Sequence, residues 1–494
     1  MKKRKKPQPR KQPPQRTKAS RKWLVPVIAV PLLAAAAFLW FGSGDDGTAI
    51  RTGPASRPHV LLLGIDTLRE DHTCNSILTG IRTPHMDALA EDGNRFTRCH
   101  STAPWTLPSF ASIFTGQLPS RHEAIGGDYQ VLDESHVTIA ERFDSAGYNT
   151  YGWYCVEYLN DNYGMTQGYN AVMGQPEEVA VFQQSTTVTA LSLAFFRKYG
   201  RGPCYLFSHY FAPHAPYEPP PPYDNIYYFD RDPRGPGEPI LDVIMASHTL
   251  LDDNKTSGMY DWLEGITDWK YPTNQYAAEV SFTDEQIGNL VAGLKEMGLY
   301  DDMLIVLVAD HGEHLMDHDI YFTHYLPYQE TIHVPLIVKL PGNRGAGRIV
   351  EEPVSTLDVL PTIMEIAVLG EAAGLPGHSL LGAMLGQEEI EPRTLLAEQG
   401  SSPDRFTKAL VEWPWKLMYF REGDRERVEL YDLQQDPFER ADLAAQRVDV
   451  AQALTARLWT HFDPASPLTV GDERRPADLS EAERQRLRSL GYVD

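Results

Sequence analysis

The chain has 494 residues, 42% of them apolar, and a formal net charge of −22 at pH 7, so it can bury one large core and a smaller one, which excludes a peptide-like module. Residues 1–22 hold 11 Lys/Arg and no acid; taking those from the total of 45 leaves 34 basic against 67 acidic side chains, a net of −33 for the rest. A body that acidic repels nucleic acid, so the basic tail is no sign of a DNA binder.

After the tail comes WLVPVIAVPLLAAAAFLWF (23–41), uncharged throughout and close to the roughly 20 residues that span a bilayer. The predicted order is therefore a basic cytoplasmic tail (1–22), a transmembrane anchor (23–42) and a small, polar, proline-bounded linker (43–57). The Lys/Arg cluster before the anchor keeps the N-terminus cytoplasmic and sends the remainder across the membrane. A cleaved signal peptide would export the same domain, but its apolar region is shorter and ends in a small-x-small site that is not clear here. Cys74, Cys99, Cys155 and Cys204 are widely spaced with no CxxC pair, which removes zinc-ribbon and thioredoxin-type readings; export permits disulfides, and the spacing specifies none.

The folded part begins near His59. Strands are expected at VLLLGI (60–65), YNTYGWY (148–154), CYLFSHY (204–210), MLIVLVA (303–309) and VPLIVKL (334–340), several of them apolar at every residue, as in a sheet covered on both faces. Helices are expected at PHMDALAEDG (84–93), TIAERFDSAG (138–147) and 274–298, where Tyr276, Val280, Ile287, Leu290 and Leu294 form one apolar face. In APWTLPSFASIFTG (103–116), Thr106 reads as the N-cap of a short helix closed by Gly116. Alternating strands and helices predict an α/β domain with a mostly parallel central sheet and helices on both faces. From about residue 400, ALVEWPWKLMYF and RVELYDL read as antiparallel strands before a helix at 447–462. We place the catalytic domain at 58–395 and a small C-terminal α+β subdomain at 396–494.

In doubly wound sheets, ligands gather at the carboxyl ends of strands. The first strand runs into Asp66, and a later one into Asp310 and His311. An Asp after a strand often just caps the next helix. Together with Thr106, however, two carboxylates and an imidazole can hold one divalent cation, which would make an unreactive alcohol nucleophilic near neutral pH.

GIDTLREDH, PWTLPSFASIFTGQLPSRHE, YFAPHAPYEPP, YAAEVSFTDEQIGNL, ADHGEH, ETIHVPLIVKLPG and STLDVLPTIMEIA occur in this order. In order and spacing they resemble the sulfatase family of the alkaline phosphatase superfamily over residues 58–390, and ELYDLQQDPFERADLA (429–444) resembles that family's C-terminal subdomain. The resemblance implies an alkaline-phosphatase-like fold and a metal site of Asp66, Thr106, Asp310 and His311, with Thr106 as nucleophile. It implies that His214 and His324 orient the anion or protonate the leaving oxygen; His122 and His318 read as supporting or surface groups. The family's C/S-x-P-S-R pattern, whose first residue becomes formylglycine, is here TLPSF: Thr106 cannot give that aldehyde, Phe110 stands for the Arg, and GYNTYGWYCVEYL lacks the G-K-W-H segment. Relatives in the superfamily that use an unmodified threonine act on phosphorus.

The expected cofactor is one divalent metal ion, Mn or Zn favoured by the imidazole ligand and Ca as the alternative. A second metal would need an Asp where Ala212 stands. The expected partners are a small-molecule, lipid or glycan ester and the membrane, with no nucleic acid. The leading function is a metal-dependent hydrolase of a monoanionic sulfate or phosphate ester. Its alternatives are a phosphoryl-group transferase on a lipid-linked donor, usually a protein with several membrane spans, and a non-catalytic binding protein on the same fold.

Overall fold

A computed structural model describes residues 57–74, 80–125, 131–174, 181–229, 232–247, 259–402 and 404–462. The tail, the anchor and nearly all of the linker lie outside these residues, and no described helix is long and apolar enough to cross a membrane.

The central strands are β1 (Val60–Ile65), β2 (Asn94–His100), β3 (Asn149–Tyr154), β4 (Ala171–Gly174), β5 (Cys204–Tyr210) and β6 (Leu304–Ala309), then, after the hairpin β7 (His314–Leu315) and β8 (Tyr321–Thr323), β9 (His333–Lys339), β10 (Arg348–Val350) and β11 (Val354–Ser355). Their order is β10-β2-β9-β6-β1-β5-β3-β4, with β11 also on β2 and the hairpin apart. β9 pairs antiparallel with both β2 and β6, while every other pairing in this sheet is parallel. β1, β5 and β6 are buried at every residue, which is why they read as unbroken apolar runs.

Helices cover both faces: α1 (Pro84–Asp92), α2 (Thr106–Thr115), α3 (Ile139–Ser145), α4 (Val181–Tyr199), α5 (Lys270–Glu296) and α6 (Val359–Ala367). The alternation along β5 shows the two layers. Ser208 and Tyr210 meet Ser192 and Thr189 of α4, each at 2.9 Å. Tyr205 stacks on Phe143 of α3, and Phe207 and His209 meet the edge of Phe110 of α2. Gly64 in β1 makes room for that packing, since a Cβ there would lie 2.7 Å from the Phe110 ring and 2.9 Å from Phe207.

A second sheet follows, β12 (Leu395–Ser402), β13 (Arg405–Glu412), β14 (Trp415–Glu422) and β15 (Arg425–Asp432), antiparallel in sequence order, with α7 (Val448–His461) after it. Leu417 and Tyr419 of β14 face Leu454 and Leu458 of α7, while Met418 and Phe420 face Ile320, Tyr328 and Ile332 of the α/β domain. Glu398 of β12 ties the two together: its N–H donates to the Thr102 carbonyl at 2.8 Å, and its carboxylate accepts from Ser120 Oγ at 2.9 Å and from Lys408. All four cysteines are free and buried.

Candidate active site

Thr106 is the first residue of α2, not its cap; the N-cap is Trp105, in extended conformation. The hydroxyl therefore belongs to the helix's first turn, which Pro108 enters without an N–H to satisfy. Gly116 closes the helix as expected, at φ 68°, its N–H on the Ser112 carbonyl at 2.8 Å. All ten residues of α2 are buried, so Thr106 is carried on a rod fixed in the core.

Asp66 leaves the end of β1, its N–H extending the ladder to the Tyr210 carbonyl at 2.9 Å. Thr67 follows at φ 52°, a left-handed conformation that a β-branched residue rarely adopts. Tyr276 of α5 braces this turn: its hydroxyl donates to the Thr67 carbonyl at 2.7 Å and accepts from the Arg69 N–H at 3.1 Å. Asp310 and His311 follow β6, the strand on the other side of β1 from β5. Gly312 is obligatory there, because a Cβ would lie 2.0 Å from the Glu330 carbonyl.

The structure brings all four expected ligands together. His311 Nε2 lies 3.5 Å from Asp66 Oδ1, 3.4 Å from Asp310 Oδ2 and 3.3 Å from Thr106 Oγ1. His311 Nδ1 donates to the Gly312 carbonyl at 2.9 Å, so in the neutral ring Nε2 presents a lone pair to two carboxylates. Both Asp66 oxygens and Asp310 Oδ2 are buried with no hydrogen-bond partner. Burial, with Glu313 nearby, pushes Asp66 well above the ordinary carboxylate range, and burial together with Asp66 does the same to Asp310. Burial, then His324, holds His311 well below the ordinary imidazole range. Buried carboxylate oxygens without a hydrogen-bond partner, facing an imidazole lone pair, fit a cation: ligands about 2.0–2.2 Å from a metal ion lie roughly 3–4 Å apart, and Asp66 Oδ1, Asp310 Oδ2 and Thr106 Oγ1 each lie within that range of His311 Nε2. The residues present, a nitrogen donor beside two carboxylates, fit one divalent ion.

His214 and His324 adjoin this cluster. The His324 ring centroid is 4.4 Å from that of His311 and 5.2 Å from that of His214. His214 Nδ1 donates to the Ala215 carbonyl at 2.6 Å, which leaves Nε2 as the unprotonated nitrogen of the neutral ring. His324 Nδ1 lies 3.7 Å from Glu313 Oε1, and Glu313 Oε2 accepts from the Tyr217 hydroxyl at 3.1 Å. Burial lowers His324 to about 3 and, with His324 beside it, His214 to about 4; burial raises Glu313 to about 7. The imidazoles beside the cluster are thus held neutral. Arg69, buried beside it, is matched by Asp71 at 2.8 Å and Asp317 at 2.7 Å.

His122 takes the supporting one of its two expected places, not the surface one. It is fully buried, pairs with Ser112 Oγ of α2 at 3.0 Å and accepts from the Ala124 N–H at 3.1 Å, a structural pin of the helix that carries Thr106. His318 belongs to another cluster, with Glu330 and Glu439, but there Lys416 Nζ lies 2.7 Å from Glu439 Oε1 with both side chains buried. That cluster carries its own cation. Sequence reasoning missed Glu313 and His209; the available signal was a histidine near the carboxyl end of an otherwise apolar strand.

The Sulfatase family profile matches residues 58–369, and that of the N-sulphoglucosamine sulphohydrolase C-terminal region matches 317–463. An arylsulfatase of Clostridium perfringens is 23% identical over 445 residues, covering 78% of this chain and 90% of its own length. Among solved structures, the phosphonate monoester hydrolase of Agrobacterium radiobacter aligns with a TM-score of 0.67 at 21% identity, over 82% of this chain and 95% of its own. A protein solved in complex with its substrate D-glucosamine-2-N,6-O-disulfate gives 0.67 at 18% identity, over 83% and 99%. Both share the central mostly parallel sheet and its helical layers.

Proposed function

Because this chain belongs to the sulfatase family and is a sulfatase-like ester hydrolase, we propose that it cleaves a monoanionic sulfate or phosphate ester, diester- or phosphonate-like, with unmodified Thr106 as nucleophile. The observation that carries this reading is the meeting of Asp66, Thr106, Asp310 and His311, from three separate segments, in one buried set of donor atoms. A divalent ion, when bound, supplies the positive charge that polarises the ester and lowers the pKa of the Thr106 hydroxyl. Two ionised aspartates cancel that charge, the three neighbouring histidines are neutral, and Arg69 is already matched, so little is left to hold a dianion.

In the reaction we infer, Thr106 Oγ forms a bond to phosphorus or sulfur as the bond to the leaving oxygen breaks in line with it. The proton that Thr106 gives up passes to His214 Nε2 or His324, neutral at rest, and that imidazole, charged only while it holds the proton, delivers it to the leaving oxygen. Water then displaces the threonine ester and frees the hydroxyl. Phe110, packed on Phe207 and His209, leaves no guanidinium to steady a formylglycine, which supports an unmodified side chain. Phosphonate and sulfate esters both lie within the chemistry named for its relatives. We further propose an exported domain held by the segment 23–42 with the N-terminus cytoplasmic.

The test supplies the purified protein with Mn, Zn or Ca and with aryl esters of phosphate, phosphodiester, phosphonate and sulfate. Release of the aryl alcohol together with a peptide adduct on Thr106 by mass spectrometry is the expected result. Turnover that persists in Thr106→Ala would overturn the nucleophile assignment. An acceptor alcohol that speeds loss of the adduct would shift the reading to a transferase.

A further inference from the structure

Asp66 has two carboxylate oxygens and the cation site accounts for one. Oδ1 faces His311 Nε2 at 3.5 Å, while Oδ2 faces His209 Nε2 at the same distance, with all three side chains fully buried. His209 lies near the end of β5, opposite Gly64 in the parallel register with β1.

The tautomer of His209 is set by the chain itself. The Cys155 backbone N–H points at His209 Nδ1 at 3.3 Å, and a backbone N–H can only donate, so Nδ1 is the acceptor and the proton of the neutral ring sits on Nε2. That Nε2 is buried without a hydrogen-bond partner, as is Asp66 Oδ2. A protonated nitrogen is no ligand for a metal ion, but it is a donor for the carboxylate that is one. The ring plane is fixed from the side by Phe110, at 5.3 Å between centroids and 83° between planes, and by Phe207 at 6.2 Å. Phe110 in turn fits only because residue 64 is glycine.

We propose that His209 is a positioning residue: its Nε2–H holds Asp66 Oδ2, so that Oδ1 is turned toward Asp310 and His311 for the cation. The proposal rests on the metal site inferred above. Partners of this kind keep a ligand in its productive orientation, and losing one costs about 10–100-fold in metal affinity.

The experiment uses the full chain in detergent, stripped of metal and titrated with Mn or Zn against a chromogenic chelator. Three proteins are compared: wild type, His209→Phe, which keeps the ring shape without a donor, and His209→Gln, whose amide N–H can take the place of Nε2–H. The expected result is a loss of about 10–100-fold in affinity for His209→Phe, recovered in most part by His209→Gln, with thermal unfolding of the metal-free proteins nearly unchanged. A folded His209→Phe that binds as tightly as wild type overturns the proposal. So does a folded His209→Gln that binds no better than His209→Phe, and so does a Co-loaded wild type whose visible spectrum shows one more nitrogen ligand than that of His209→Gln. Failure of wild type itself to take up a cation would instead overturn the metal site, which tells the two failures apart.

Discussion

Thr106 offers a secondary hydroxyl where the resemblance leads one to expect a cysteine, and the consequence is measurable residue by residue. Thr106→Ala should lower kcat/KM by at least about 10⁴-fold, as loss of a covalent nucleophile does, while Thr106→Ser, which keeps the hydroxyl, should retain much of the rate; steady-state hydrolysis of an aryl ester distinguishes them. His122 gives a prediction in pH. Burial depresses it from 6.5 to about 3, so between those values the unfolded chain binds the extra proton. Stability is then whole above pH 6.5 and is lost as pH falls toward 3, by about 1.4 kcal/mol per pH unit from this one group. Replacing His122 with Gln should flatten that part of a plot of denaturant midpoint against pH. Asp66, Asp310 and His311 were legible only as a set with Thr106: one Asp after an apolar strand often just caps a helix, but two such strand ends, an imidazole and a hydroxyl together suit a cation. His209 was not, because only the register of β5 against β1 sets its ring beside Asp66, and Glu313 looked like any acid in a loop.

At the scale of elements, the turn after β1 is held from outside by α5. Tyr276→Phe would strand the Arg69 N–H and the Thr67 carbonyl, both buried, a loss of roughly 1–3 kcal/mol. Thermal unfolding should register that, and a cation titration of the same variant should show weaker binding, since Thr67 sets the direction of Asp66. The apolar runs of β1, β5 and β6 and the one-sided pattern of α5 were readable, and their ends moved by only a few residues. β2 was missed because NRFTRCH alternates charged and apolar residues near the edge of the sheet. α4 was missed because Thr and Val crowd its middle and weaken the helical signal. The reversal of β9 left no trace, since VPLIVKL is equally apolar read in either direction.

For the whole molecule, the joint between the two sheets carries buried charge. Lys416 lies fully buried against Glu439, burial lowering its pKa and the Glu439 carboxylate opposing that shift. Lys416→Met leaves the carboxylate unmatched and should cost about 3–5 kcal/mol. The double variant Lys416→Met/Glu439→Gln should regain most of that, and urea midpoints of the four proteins in the cycle give the coupling. A Lys416→Met protein as stable as wild type would mean the pair does not act as a unit. The antiparallel texture after residue 400 was visible in the sequence, but its contact with the first domain was not, because Glu398 and Lys408 sit on strands that read as ordinary half-buried surface.

The bond from the Glu398 N–H to the Thr102 carbonyl lies four residues ahead of Thr106, and this sets what evolution or an engineer can exchange. A gene cut before Leu395 would encode a domain whose Thr106 helix has lost a fixed point at its approach. A C-terminal piece borrowed from another sulfatase would have to arrive with a backbone N–H for Thr102 and an acid for Ser120 in the same register. The two lobes are therefore heritable only as a pair.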